Sequence, residues 1–253
     1  MPMSNTGERM LRVLDVIEAG PAAMSFEEVH ASLGYTRSTL YRYLKTLTDA
    51  GLLSPLGDIG YGLGPRITEL DCAMRDKDAM MTAARPVMAE LALSVPGIAL
   101  LCRRYRDKVL CVHQEQGKSR FASAYERGRA RPLLRGAASR VILAYLRPSA
   151  VARLFAADPA GFSAAALGDD LPAVRAVLKN IRTRGWDTSS GQVTPGITGV
   201  AAPLFDNSGA ILGSLSISVW YKKIPDAELA IISDRVCFCA GIVSKAISVT
   251  PER

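Results

Sequence analysis

The chain holds no apolar run approaching the ~18 residues a membrane-spanning helix needs, so no span is expected. Its start, MPMSNTGERMLRVLD, carries no apolar signal core, which points to a cytoplasmic protein. Five cysteines at scattered positions argue against a disulfide framework. There are only two histidines, His30 and His113, and Cys237-x-Cys239 lacks a partner pair at zinc spacing. No metal and no cofactor is therefore expected. No phosphate-cradling glycine loop is present, because Gly60, Gly62 and Gly64 fall in a short hairpin pattern. Internal repeats and low-complexity tracts are absent too. What remains is a chain of 253 residues with a hydrophobic share of 49%, enough for two well-packed domains.

The most informative stretch is SFEEVHASLGYTRSTLYRYLKTLTDAG, residues 25–51. Phe26, Val29 and Leu33 fall at helical spacing, and Gly34 is suited to end that helix in a left-handed conformation. Thr36 is placed to cap the next helix. Leu40, Tyr43, Leu44 and Leu47 form its apolar stripe. Arg37, Ser38, Thr39, Tyr41, Arg42 and Lys45 fall outside the stripe, as a polar, cationic face with no matching anion evident beside it. Such a face suits the major groove of double-stranded DNA. Two short strands around Gly57-Asp58 follow, the second containing Tyr61, and read as the wing of a winged helix-turn-helix. Arg66, just beyond, is placed for a phosphate. A solvated helix face would share much of this pattern; the wing is what favours DNA.

Net charge is +7, but it does not sit where DNA binding would put it. Residues 1–66 carry six basic and seven acidic side chains. The excess lies between Arg103 and Arg153, where thirteen basic residues face three acidic ones. That block needs a separate explanation.

Residues 8–19 predict a first amphipathic helix, stopped by Gly20-Pro21. Residues 67–77 read as a linker helix, and about 79–93 as another, with Pro86 either bending it or marking its start. Strands are expected at 98–105 and 108–113, an irregular polar segment at 114–130, and helices at 133–146 and 149–155. A small-residue connection at 156–168 leads to a helix at 171–184, strands at 200–204 and 210–220, and a closing helix at 227–247. This order implies an α+β domain, an antiparallel sheet covered by helices. The expected division is 1–66 for the DNA-binding domain, 67–78 for the linker helix and 79–253 for the second domain.

Two anchors then carry a resemblance: ERMLRVLDVIEA with the helix-turn-helix and YGLG wing, and RGW followed by SGQVTPGITGVAAPLFDNSGAILGSLSIS. On these the chain resembles the IclR family of bacterial transcription regulators over about residues 8–248. The resemblance implies an N-terminal winged helix-turn-helix, a linker helix and a C-terminal α+β, GAF-like effector-binding domain. It also implies a homodimer or homotetramer, with a palindromic operator and a small-molecule effector as partners. For a two-fold dimer the half-sites would lie ~34 Å apart or multiples of that. Carried onto matching positions, the effector pocket takes Ala137 and Ala138 from a helix start, Ser189, Ile197 and Gly199 from the signature loop and strand, and Ser216 and Ser218 from the hairpin. Gln192 stands where many members carry glutamate, and Arg135 stands at the often small, polar helix start. Both departures make the pocket less negative. We therefore expect a repressor responding to an organic acid, with Arg135 clamping its carboxylate and Ser216 and Ser218 as neutral donors. The alternative for the basic block is that its arginines pair with acids elsewhere or solvate the surface.

Two other classes compete. A thiol-based redox-sensing DNA-binding regulator would use Cys237 and Cys239, though their spacing points them to different faces of a helix. A small-molecule enzyme would use Cys111 and His113, which share a strand face. No supporting acid is evident for that pair, and buried cysteine is the ordinary alternative. No catalytic residue is assigned.

Overall fold

The computed structural model describes residues 5–117, 127–220 and 224–249. The chain divides into two compact units, Met1–Lys77 and Asp78–Arg253.

In the first unit, α1 (Thr6–Ala19), α2 (Phe26–Leu33) and α3 (Arg37–Asp49) precede a hairpin of β1 (Leu53–Pro55) and β2 (Tyr61–Leu63), followed by α4 (Arg66–Lys77). Caps set the boundaries. Ser25 and Glu28 make a reciprocal capping box at α2, Gly34 ends α2 at φ +62°, and the Thr36 hydroxyl accepts from the Thr39 amide at α3. Leu40, Tyr43, Leu44 and Leu47 are all buried, against Val13 and Ile17 of α1 and Val29 of α2. Turning that stripe inwards leaves the opposite side of α3 in solvent. The hairpin is fastened to the α1–α2 connection by paired backbone hydrogen bonds between Met24 and Tyr61. Gly60 (φ +137°) is required there, since any Cβ would collide with the Met24 carbonyl.

The second unit is built on a six-stranded antiparallel sheet, ordered β5-β4-β3-β8-β7-β6. Its strands are β3 (Gly97–Tyr105), β4 (Lys108–Gln116), β5 (Ala130–Pro132), β6 (Asp187–Ser190), β7 (Thr198–Phe205) and β8 (Ile211–Val219). Helices α5 (Ala79–Ser94) and α10 (Asp226–Val249) cover one face. The other face is covered by α6 (Ala137–Ala144), α7 (Pro148–Ala157), α8 (Pro159–Ala164) and α9 (Leu171–Arg184). Ala99 and Leu101 pack on the first side and Ile98, Leu100 and Cys102 on the second, as the period of two demands. Both faces being covered, β3 and β8 are buried along most of their length.

Several elements depart from the sequence expectations. Strands β5 and β6 and helix α8 appear where connections were expected. Strand β4 runs on to Gln116. The helix expected from residue 133 begins only at Ala137, because Gly136 turns the chain at φ +86°. Pro86 lies inside α5, which starts seven residues earlier on the Asp78 cap.

Candidate functional site

On α3, Ser38, Tyr41, Arg42 and Lys45 are exposed along one side, with Tyr41 63% accessible. Their spacing of three to four residues places them on one helix face. Thr39 is half-buried, and Thr36 is occupied as the cap. One expectation needs correction, that no anion lies beside this face. Arg37 does have an anion beside it: Glu27 of α2 receives both its terminal nitrogens, at 2.9 and 2.7 Å, and the guanidinium lies over the Phe26 ring. The pairing is inter-helical, so spacing within α3 concealed it. Tyr61, in β2 of the wing, is half-buried against the core, and its backbone bridges to Met24. Arg66 begins α4 and pairs with Glu69, one turn on, at 2.7 Å.

In the second unit, Ala137, Ala138, Ser189, Ile197, Gly199, Ser216 and Ser218 line a single cavity of about 30 Å³. Arg135 is not among the lining residues; its side chain is exposed, since the turn at Gly136 separates it from the helix start. Leu100, Gln192, Val193 and Thr194 complete the wall. Of these, Val193 and Thr194 belong to the same signature loop, which was the available signal. Leu100 reaches the wall through its register opposite Ser216, which no sequence pattern announces.

The cavity lies at the N-terminus of α6, the end that favours negative charge. Gly136 caps this helix without a side chain. Its amide donates instead to Gln192 Oε1 at 3.1 Å, and the Ala137 amide donates to Ser189 Oγ at 2.9 Å. With its oxygen engaged, Gln192 keeps an amide nitrogen as donor, where a glutamate would bring only acceptors. The Ser216 hydroxyl is buried, 3% exposed as a residue, and has no hydrogen-bond partner among the described residues. Ser214, next on the same strand face, is satisfied by the Ala138 carbonyl at 3.0 Å.

Asp187 in β6 is 2% exposed and sits beside Arg140 of α6 at 2.8 Å and Arg184 of α9 at 3.2 Å. Burial pushes its carboxyl upwards, against the pull of the two guanidiniums. Arg103 likewise pairs with Asp78, the cap of α5. The basic block is thus partly consumed by internal pairing; its members Lys118 and Arg120, with Glu126, lie outside the described residues.

Cys102 and Cys111 share a hydrogen bond that pushes the Cys102 thiol well up and the Cys111 thiol down. Cys111 donates to the His113 carbonyl at 3.3 Å, not to the imidazole. His113 does have the acid that was not evident in sequence: Glu115, two residues on, lies 2.8 Å from its Nε2. Cys102 and Cys111 are opposite one another on β3 and β4 and fully buried. Burial raises the Cys237 and Cys239 thiols, away from the reactive thiolate. Among the described residues no cluster of three metal-ligating side chains occurs, and no helix is long and apolar enough to cross a membrane.

Comparison with known proteins accounts for both units. The chain matches the IclR helix-turn-helix domain over residues 8–57 and the bacterial transcriptional regulator IclR C-terminal domain over residues 72–245. It is 27% identical over 245 residues to the HTH-type transcriptional regulator BhcR of Paracoccus denitrificans, covering 94% of this chain and 85% of that protein. Its fold is similar to that of an IclR-type regulator from Alicyclobacillus acidocaldarius, with a TM-score of 0.79 at 22% identity over 97% of this chain and all of the other. It is also similar to an IclR homologue from Microbacterium hydrocarbonoxydans solved with 4-hydroxybenzoate, with a TM-score of 0.73 at 18% identity over 96% and 99% of the two chains. Family models thus match both the helix-turn-helix unit and the antiparallel α+β unit, and the chain belongs to the IclR family of DNA-binding bacterial transcriptional regulators.

Proposed function

We propose that this regulator is a repressor whose operator affinity is set by a small organic carboxylate, bound in the cavity at the N-terminus of α6. The observation that carries this reading is the Ser216 hydroxyl, sealed in the cavity wall with no partner among the described residues. An unpaired buried hydroxyl costs stability, and a ligand acceptor would satisfy it. The carboxylate would take over the Gly136 and Ala137 amides from Gln192 and Ser189, exchanging neutral acceptors for a charged one. Arg135 is dropped as anchor, being outside the wall. At about 30 Å³ the cavity holds one or two waters, so ligand entry must move the 189–197 loop or α6. Such a movement is what allows a ligand to favour one state of the protein over another. The complex of the Microbacterium homologue with 4-hydroxybenzoate, a carboxylate, supports the choice of ligand class.

The reading is tested by titrating small carboxylates, 4-hydroxybenzoate included, calorimetrically and in a mobility-shift assay on the promoter upstream of the protein's own gene. A binding carboxylate should release specific DNA. Ser216→Ala should leave thermal stability equal or higher and weaken the ligand by about 1 kcal/mol. Undiminished binding by this variant would remove Ser216 from the site. Release of random DNA to the same extent would remove the operator-specific effect.

A further inference from the structure

The second unit holds a larger opening that the proposed effector cavity does not use. It lies between α9 and the chain running from the end of α6 into α7, and encloses about 740 Å³. That is within the ~300–1,000 Å³ of small-molecule sites without any opening movement. Its floor is aliphatic: Leu146, Pro148, Val151 and Leu178, of which Val151 and Leu178 are buried members of the core below. Its charged side chains are all cations, Arg175, Lys179 and Arg182. They recur at four and three residues on α9, so they share one face and span ~10 Å along the helix. Neither Arg175 nor Lys179 has an ion-pair partner among the described residues, and no carboxylate lines the groove. Asp170, at the start of α9, is committed to capping the Ala173 amide. Arg182 donates to the Ala144 carbonyl at 2.6 Å, in the last turn of α6, and the Tyr145 hydroxyl reaches the Arg182 carbonyl.

We propose that this groove is a second ligand site, specific for an amphiphilic anion: an aliphatic or aromatic body bearing a carboxylate, sulfonate or phosphate. A plain inorganic anion would leave the aliphatic floor wet, and a neutral apolar molecule would leave three cations without a counter-charge. DNA phosphates would meet the rim and gain nothing from the floor. The site stands at the opposite end of α6 from the effector cavity, which touches Ala137 and Ala138. The helix is eight residues long, so the two ends are ~12 Å apart. An anion in the groove competes with the Ala144 carbonyl for Arg182, which would alter the anchorage of the helix that walls the other cavity.

The experiment uses the full chain and the fluorescence of anilinonaphthalene sulfonate, followed by displacement with decanoate or acetate. The wild type should bind the probe saturably, and decanoate but not acetate should displace it. The double variant Arg175→Glu/Lys179→Glu changes two exposed side chains and should weaken the probe at least tenfold. Arg235→Glu/Lys245→Glu, with the same change of net charge on α10, should bind as the wild type does. Ser216→Ala should also bind normally, which separates this site from the effector cavity. The proposal is overturned if the wild type shows no saturable binding, if Arg175→Glu/Lys179→Glu binds as the wild type does, or if the two charge-reversed variants lose affinity equally. Equal displacement by acetate overturns the amphiphile specificity. Loss of the probe in Ser216→Ala places it in the effector cavity and overturns the second site.

Discussion

Glu27 grips Arg37 through both terminal nitrogens of the guanidinium, and the pair is solvent-exposed. The Glu27 carboxyl is held below its usual range, first by the hydrogen bond from Arg37. The pairing therefore persists at neutral pH and is lost as pH falls through that lowered value. For Arg37 to reach DNA, a phosphate or base edge would have to displace Glu27, whereas among the described residues neither Arg42 nor Lys45 has an ion-pair partner. Glu27→Gln should raise affinity for operator and random DNA alike, with the gain shrinking as salt rises, since it removes a negative charge and frees a cation. Arg42→Ala should cost about 1–3 kcal/mol on the operator alone, provided this arginine reads a base edge. Both outcomes are read from mobility shifts at fixed salt with random DNA as competitor. An Arg42→Ala loss equal on both DNAs would make Arg42 a phosphate contact, and an unchanged Glu27→Gln would show that Arg37 stays off the DNA.

At the scale of elements, Asp187 joins three: β6 through its own backbone, α6 through Arg140 and α9 through Arg184. The Arg140 contact is close, but neither Arg140 Nε nor Asp187 Oδ2 forms an aligned hydrogen bond. The attraction is thus mainly coulombic. Asp187→Ala would leave Arg140 largely buried and unpaired, and should destabilise the chain by about 3 kcal/mol, measured by chemical unfolding. A loss below ~1 kcal/mol would mean that water reaches Arg140 and the tie is slack. This cluster also marks where sequence reading ends. Helix ends were legible at Gly34, Thr36 and Gly185, which stand where local chemistry needs them, whereas the Ser25–Glu28 capping box went unread. Strand β6 was not, because Asp-Thr-Ser-Ser has no apolar alternation and is held by pairing with β7. Helix α8 did carry a signal, Asp158 as cap with Pro159 in the first turn, overlooked among small residues. The cavity residues were reached through family resemblance, while Arg135 was misplaced because the turn at Gly136 is invisible in a helical pattern.

At the scale of the whole molecule, α4 is the element whose sequence and burial disagree most. It is a helix of 12 residues with no buried member. A free helix of that length is marginal in water, and helices in proteins draw most of their stability from a packed apolar face. Such a face exists on α4 but is uncovered: Ile67, Leu70 and Met74 are exposed at spacings of three and four, Leu70 to 47% and Met74 to 48%. We propose that a second copy of the chain covers it, giving a two-fold dimer that would read two half-sites. Because Leu70 is 47% exposed and lies outside the apolar core of this unit, Leu70→Asp should leave the helix-turn-helix folded. It should shift the chain towards monomer in sedimentation and reduce operator affinity by at least tenfold at low protein concentration. Raising the concentration should restore much of the loss, as mass action demands of a weakened dimer. A variant that stays dimeric with unchanged affinity would place the dimer contact elsewhere in the chain. A variant that is dimeric yet fails on DNA would make α4 a spacer whose face sets the distance between half-sites.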